Sequence, residues 1–369
     1  MNIPFLSFDA TNDAFREEAF TTFSRFFDSK WYVLGEMTKQ FEADYAAYNQ
    51  VKHAVGVSNG LDALQIALRV LGIGEGDEVI VPSNTYIATA LAVSYVGATP
   101  VFVEPDINTY NIDPRKVEAA ISSRTKAIMP VHLYGQACSM DKIMAVAIKH
   151  NLLVVEDNAQ AHGAAFNGVV TGGFGHANAT SFYPSKNLGA LGEAGAITTN
   201  DDEIAYRVRV MRNYGSQQRY YNEIKGFNAR IDELQAGLLS TKLKHLAQWT
   251  AERRQIASWY MEELSDCPEI ILPQIEDGAT HVYHLFVVRT AQRDALQQHL
   301  QSTGIGTVIH YPVPPHLQQA YSDLEYGKGD FPIAEEIADT ILSLPLYIGM
   351  TREQVVYVCK SIKSYFSQP

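Results

Sequence analysis

The segment Ser181-Phe182-Tyr183-Pro184-Ser185-Lys186-Asn187-Leu188-Gly189 follows the run Leu152-Leu153-Val154-Val155-Glu156-Asp157, with Lys186 lying 29 residues beyond Asp157. Leu152 to Val155 reads as a short buried strand that carries Asp157 out at its carboxyl edge, where open α/β sheets place their ligands. Around this pair, from about residue 53 to 200, β-type runs alternate with helical patterns. His53 to Val57, Glu78 to Val81, Pro100 to Val103, Ala127 to Val131 and Ala179 to Phe182 are strand-like. A helix is expected after Ser58-Asn59-Gly60, with Leu64, Ala67, Leu68 and Leu71 on one face and Gly72 as its stop. Asp113-Pro114 supplies an N-cap and a proline at the first helical position. Such alternation predicts an α/β fold, a mainly parallel sheet covered on both faces.

Further along, residues 201–265 read as helical throughout. His284 to Val288 and Val308 to His310 read as strands flanking a helical Arg293 to Gln301, and a last helix is expected over Arg352 to Phe366. The chain therefore divides into a large α/β domain over 1–250, with an N-terminal arm, and a small α+β domain over 251–369.

Length and composition fit this plan. The 369 residues are 46% hydrophobic, enough for a large core, and the net charge is −12. That balance disfavours nucleic acid and anionic membrane as partners, both of which need clustered Lys and Arg. The N-terminus has no basic segment leading into an apolar run, and no stretch reads as a membrane span. Cys138, Cys267 and Cys359 are odd in number and widely spaced, so the expected compartment is the reducing cytoplasm. Gly172-Gly173-Phe174-Gly175 and Gly72-Ile73-Gly74-Glu75-Gly76 do not give the dinucleotide fingerprint. His281 and His284 lack a carboxylate or cysteine partner, and no metal site is expected.

The chemistry centres on Lys186. A free lysine has a pKa of about 10.4, so holding it neutral at pH 7 costs roughly 4–5 kcal/mol. Joining the amine to an aldehyde as a Schiff base lets it be held unprotonated and released as a general base. Asp157 is a favoured N-cap residue at a strand-to-helix junction. Paired with Lys186 it gains a second reading, as the carboxylate that keeps a pyridine nitrogen protonated. Ser58-Asn59-Gly60-Leu61-Asp62 offers a helix N-terminus suited to a phosphate, with Gly60 allowing close approach and Ser181 able to add a hydroxyl. Tyr86 is a candidate to stack on a cofactor ring, and Gln160 and His162 could reach that ring from the Asp157 loop. Together these residues describe a pyridoxal 5'-phosphate site.

With these residues in hand, the chain resembles the nucleotide-sugar aminotransferases of the DegT/StrS group, whose fold-type I architecture is that of aspartate aminotransferase. The likeness runs through Tyr32-Val33-Leu34-Gly35, Ser58-Asn59-Gly60-Leu61-Asp62-Ala63-Leu64, Gly76-Asp77-Glu78-Val79-Ile80-Val81-Pro82 and Pro130-Val131-His132-Leu133-Tyr134-Gly135. It continues in Glu156-Asp157-Asn158-Ala159-Gln160-Ala161-His162-Gly163, the lysine segment and Asn228-Ala229-Arg230-Ile231-Asp232-Glu233-Leu234-Gln235-Ala236. The resemblance implies that Lys186 carries the cofactor, Asp157 faces its ring nitrogen and Gln160 lies near its ring oxygen. It assigns the phosphate to Gly60, Leu61 through its backbone, and Ser181, and the stacking position to Tyr86. Asn228 would reach the phosphate of the neighbouring subunit, which implies a homodimer with shared active sites.

Two departures stand out. Asn59-Gly60-Leu61 replaces a frequent Ser-Gly-Thr, removing a threonine hydroxyl from the cradle, and Glu193-Ala194-Gly195 stands where Gly-Gly is common. Relatives that act as 3-dehydratases carry histidine at the lysine position, and Lys186 argues against that chemistry. The likeness is greatest to enzymes that transfer an amino group from L-glutamate to C-3 of a dTDP-linked 3-keto-6-deoxyhexose. On this resemblance Tyr183, His310, Arg219 and Tyr220 are substrate-binding candidates. Arg219 reads equally well as an exposed loop residue. The alternatives are a C-4 aminotransferase and a non-catalytic sugar-nucleotide-binding regulator.

Overall fold

The computed structural model describes residues 1–367. Two helices open it, α1 (Asp9–Ser29) and α2 (Glu36–Tyr48). Strands β1 (His53–Val57), β2 (Glu78–Pro82), β3 (Thr99–Val103), β4 (Thr125–Ile128) and β5 (Leu153–Val154) then alternate with α3 (Gly60–Val70), α4 (Ile87–Tyr95), the short α5 (Pro114–Val117) and α6 (Met140–His150). A small hairpin, β6 (Ala165–Phe166) and β7 (Val169–Val170), precedes β8 (Asn178–Ser181) and β9 (Gly195–Thr199). Strands β3-β2-β4-β5 pair in parallel, and β1-β9-β8 form an adjoining sheet. Parallel bridges from Asp157 to Val131 and to Ala179 join the two, giving the order β3-β2-β4-β5-β8-β9-β1. Strand β9 runs against both its neighbours, so β1 points the same way as the rest. All five residues of β2 are buried, as expected of a central strand covered on both faces.

The alternation placed most of these strands but missed one, and it overextended a helix. Gly195–Thr199 is a strand that periodicity did not suggest, because Gly and Ala carry little β propensity and its stability comes from two neighbouring strands. Residues 201–265 are not continuously helical. Between α7 (Asp202–Met211) and α8 (Glu233–Leu243) the chain makes a loop, closed by Tyr214 N–H to Phe227 O at 2.7 Å. Gly215, with φ +74°, lets this loop close, since a Cβ there would sit 1.8 Å from Ile224 O.

Helix α9 (Leu246–Glu263) leads into the C-terminal part, where β10 (Phe286–Arg289) pairs antiparallel with β11 (Ile341–Leu344) beside α10 (Arg293–Ser302) and α11 (Pro332–Thr340). Val308, expected in a strand, makes only an isolated bridge to Ser343; the second strand of this sheet is instead β11, which follows α11 without a turn signal. The final α12 (Arg352–Phe366) matches expectation and opens on a capping box between Thr351 and Gln354. The expected division at residue 250 falls inside α9. The N-terminal Ile3 packs in the C-terminal core with Ile256, Phe286, Leu296 and Ile305. No helix among the described residues is long and apolar enough to cross a membrane.

Candidate active site

Because β1, β2, β4, β5 and β8 run in parallel, their carboxyl ends share one edge, and the loops that leave them line a cavity of 740 Å³. Gly60, Leu61, Tyr86, Asp157, Gln160, Ser181, Tyr183, Lys186 and His310, all singled out in the sequence, border it.

Asp157 is held from both sides. Its backbone bridges to Val131 and Ala179, which fixes it between β4 and β8. The preceding Glu156 is fully buried and accepts from the N–H groups of Gly172, Phe174 and Gly175 at 2.7–2.8 Å. His132 Nδ1 accepts from Cys138 N–H at 3.0 Å, so its Nε2 carries the proton and donates to Glu156 at 2.8 Å. The glycine-rich 172–175 stretch is thus a cradle for a carboxylate of the protein itself. The Asp157 carboxylate accepts from Thr89 Oγ1 at 2.8 Å and from Ala159 N–H at 3.1 Å. Thr89 spends its proton on Asp157, so Thr85 Oγ1, 2.8 Å away, donates to Thr89. Burial pushes the Asp157 pKa up, while Thr89, Ala159 and Lys186 oppose that shift.

Lys186 is partly buried, and loss of water lowers its pKa to about 8, against the attraction of Asp157. Its Nζ makes no hydrogen bond to the described residues. The helix α3 N-terminus faces the same space. Asn59 Oδ1 accepts from Asp62 N–H at 2.8 Å, leaving the Gly60 and Leu61 N–H groups without an acceptor among the described residues. A Cβ at Gly60 would lie 2.5 Å from Ser181 Cβ, so only glycine lets the helix start and the β8 end meet. Free N–H donors, a hydroxyl, a carboxylate and a low-pKa amine around one cavity fit the phosphate, ring nitrogen and aldehyde of pyridoxal phosphate.

Other residues sit differently from the simplest expectation. Gln160 has both ends of its amide engaged, Oε1 accepting from Tyr134 N–H at 2.6 Å and Nε2 donating to Tyr311 Oη at 3.0 Å. His162 does not border the cavity; it is fully buried, stacks on Phe182 and has its pKa lowered to about 3 by burial. Asn228, Arg219 and Tyr220 are exposed and border no part of this chain's own cavity, with Arg219 lying over the Tyr220 ring at 4.9 Å.

Sequence reasoning missed Thr89 and the place of His284, and took Tyr311 only as part of the His310-Tyr311-Pro312-Val313-Pro314 segment that resembles a nucleotide-sugar contact. Thr89 lies in the first turn of α4, three residues beyond its N-cap Tyr86. Tyr311 follows His310 directly and packs its ring 5.2 Å from Tyr86. His284 had been weighed only as a metal ligand, yet it borders the cavity. Among the described residues no cluster of His, Cys, Asp or Glu is arranged to hold a metal.

A doubly wound sheet with a lysine and a carboxylate converging at its carboxyl edge defines a pyridoxal-phosphate-dependent enzyme of fold-type I. More narrowly, the chain belongs to the DegT/DnrJ/EryC1/StrS aminotransferase family, whose pattern matches residues 13–363. It is 53% identical to the dTDP-3-amino-3,6-dideoxy-alpha-D-galactopyranose transaminase of Aneurinibacillus thermoaerophilus, over 98% of this chain and 99% of that protein. It is 48% identical to the erythromycin biosynthesis sensory transduction protein EryC1 of Saccharopolyspora erythraea, over 99% of this chain and 100% of that protein. Among solved structures, S. venezuelae DesV in complex with a ketimine intermediate superposes with a TM-score of 0.98 at 47% identity, covering 100% of this chain and 99% of DesV.

Proposed function

We propose that the protein transfers an amino group from L-glutamate to C-3 of a dTDP-linked 3-keto-6-deoxyhexose, yielding a dTDP-3-amino-3,6-dideoxyhexose. The observation that carries this reading is the convergence of Lys186 and Asp157 on one 740 Å³ cavity, in a chain 53% identical to a transaminase of that sugar class. Gly60, Leu61 and Ser181 hold the cofactor phosphate, Asp157 the ring nitrogen, and Tyr86 and Gln160 border the ring. When bound, pyridoxal phosphate supplies an electron sink that stabilises a carbanion beside the transferred nitrogen. Lys186 Nζ takes the proton from the donor's α-carbon, and in the second half of the cycle it delivers a proton to the sugar carbon. A pKa near 8 leaves a usable fraction of this amine unprotonated at neutral pH. Tyr183, exposed at the cavity mouth, and His310, half-buried in its lining and hydrogen-bonded through Nδ1 to Ser343 Oγ at 2.8 Å, position the sugar; burial lowers the His310 pKa to about 4, so it acts as a neutral hydrogen-bonding group.

The working unit in this reading is a homodimer. Asn228 and the Arg219-Tyr220 loop, unused by their own cavity, serve the partner's phosphate and the substrate diphosphate. The exposed Phe20, Phe23, Phe27 and Trp31 on and after α1 support a protein-covered surface. Free cysteines at Cys138, Cys267 and Cys359 support a cytoplasmic setting.

EryC1's name raises a second reading, a sugar-nucleotide-binding regulator. Binding alone requires neither a low-pKa lysine nor a carboxylate against a ring nitrogen, and this chain retains both. The test is to record the visible absorption of the purified protein with cofactor and add L-glutamate, which is expected to bleach it. Incubation with the 3-keto and 4-keto dTDP-sugars separately then locates the new amine by NMR. No bleaching would overturn the enzyme reading, and an amine only at C-4 would overturn the regiochemistry.

A further inference from the structure

Behind the lysine segment the protein holds a cation that the proposed mechanism does not use. Arg253, on α9, is 6% exposed, and loss of water lowers its pKa to about 10. Its Nη1 donates to the carbonyls of Tyr283 and Leu346 at 3.1 and 3.4 Å, while Nε and Nη2 donate to nothing among the described residues. Among the described residues no carboxylate forms an ion pair with it. Its neighbour Glu252 attracts it but accepts from Gly349 N–H at 2.6 Å. A buried guanidinium with free donors is costly unless an anion meets it.

Arg253 borders a chamber of 60 Å³ together with Ser185, His284, His310, Phe5 and Leu346. Ser185, His284 and His310 also border the main cavity, so the chamber adjoins the space around Lys186. His284 is buried, and its Nδ1 has no hydrogen-bond partner among the described residues. At 60 Å³ the chamber is less than a tenth of the 740 Å³ main cavity, a size that suits a carboxylate rather than a sugar ring. The remaining walls, Leu285, Leu344 and Leu346 among them, are apolar and would strengthen a charge–charge contact inside.

We propose that this chamber receives the side-chain carboxylate of the amino donor, with the free guanidinium donors of Arg253 as its anchor and His284 and Ser185 as further polar contacts. The site thereby selects a dicarboxylic amino acid over one with a neutral side chain. This rests on the aminotransferase reading and names the residue that sets its donor specificity.

The test uses the cofactor-loaded protein. L-Glutamate and L-alanine are compared as donors by the rate of bleaching, and binding of glutarate and butyrate is measured by calorimetry. Wild type is expected to prefer glutamate and to bind glutarate at least tenfold more tightly than butyrate. Arg253→Gln is expected to lose tenfold or more in preference for glutamate over alanine, with a matching loss of glutarate affinity and an unchanged KM for the keto sugar. Arg253→Lys, which keeps the charge, should recover part of both. Equal losses for glutamate and alanine would mark a purely structural role and overturn the proposal. Should both variants fail to fold, the wild-type comparison decides: glutarate binding no tighter than butyrate overturns it. Absence of bleaching with any donor would instead overturn the aminotransferase reading, so the two failures are distinguishable.

Discussion

The wall that holds Asp157 and the loop that carries Arg219 are built on opposite principles. Asp157 is 5% exposed, its backbone is bridged on two sides, and each carboxylate oxygen has a donor from its own chain. Tyr220, at the tip of the 212–232 loop, is 82% exposed and touches Arg219 rather than the core. The first wall is complete in one chain and can hold a charge in fixed geometry before any ligand arrives. The second is closed by its own backbone hydrogen bonds, but the side chains at its tip meet only one another and solvent. Proton transfer needs the first kind of region, and recognition of a variable sugar nucleotide can use the second.

The largest expected effect breaks the first wall. Lys186→Ala should abolish turnover while circular dichroism and thermal unfolding show an intact fold, because an exposed lysine of no function would tolerate alanine within about 0.5 kcal/mol. Near wild-type steady-state activity would remove the lysine from the mechanism. Asp157→Asn preserves shape and the contact to Ala159 N–H but loses the charge, and kcat should fall by orders of magnitude with weaker cofactor binding. No helix follows Asp157, so the expected N-cap role is not the one it plays; were it only a cap on the Ala159 N–H of the following turn, asparagine would serve as well and the kinetics would barely change. Thr89→Val tests the support behind it. Removing one hydrogen bond to a charged acceptor costs roughly 1.5–3 kcal/mol, so turnover should drop about tenfold or more. An unchanged rate would show that Thr89 does not orient the carboxylate.

The same contrast decides what could be read from the chain. The buried wall was legible because each of its parts obeys a local rule: a strand ending in Asp157, a helix opening at Gly60, a lysine among small residues. Its supports were harder to see. Glu233 illustrates why. It accepts from the N–H groups of Gly35 and Met37 at 2.7 Å and from Thr38 Oγ1 at 2.6 Å, tying two segments nearly 200 positions apart. A Cβ at Gly35 would sit 2.5 Å from Glu233 Oε1, so both ends of that contact are specified, yet no periodicity links them. Strand β9 escaped for a related reason, being a strand only because β1 and β8 flank it. The 212–232 loop was misread as helix because its apolar spacing is compatible with one, whereas Gly215 and Gly226 pack backbone to backbone.

Mixing experiments sharpen the comparison by asking whether the exposed region belongs to a neighbour. Lys186→Ala and a variant disabled at Asn228 should each be inactive alone. After subunit exchange, half of randomly formed dimers would be mixed, each with one site that has both intact residues, so about a quarter of wild-type activity should return. No recovery after verified exchange would place Asn228 with its own chain's site, or with none.

The smallest effect expected is at Arg219, and it is the most discriminating for the loop. On its own chain the residue contributes almost nothing, being exposed and packed only over Tyr220, so Arg219→Ala should change unfolding free energy by less than about 0.5 kcal/mol. If the loop closes on the partner's substrate, the guanidinium meets a diphosphate far from the ketone. Such a contact is the same in ground and transition states, so the loss should fall on KM and leave kcat unchanged. One charge-assisted contact of this kind is worth on the order of 1–2 kcal/mol, a rise in KM of roughly tenfold. Added salt should raise the wild-type KM more than that of the variant, since the variant has one fewer charge to screen. The KM for glutamate, which carries no diphosphate, should stay where it was. A KM for the sugar nucleotide that does not move would leave Arg219 an ordinary surface residue and confine recognition to cavity residues such as Tyr183 and His310.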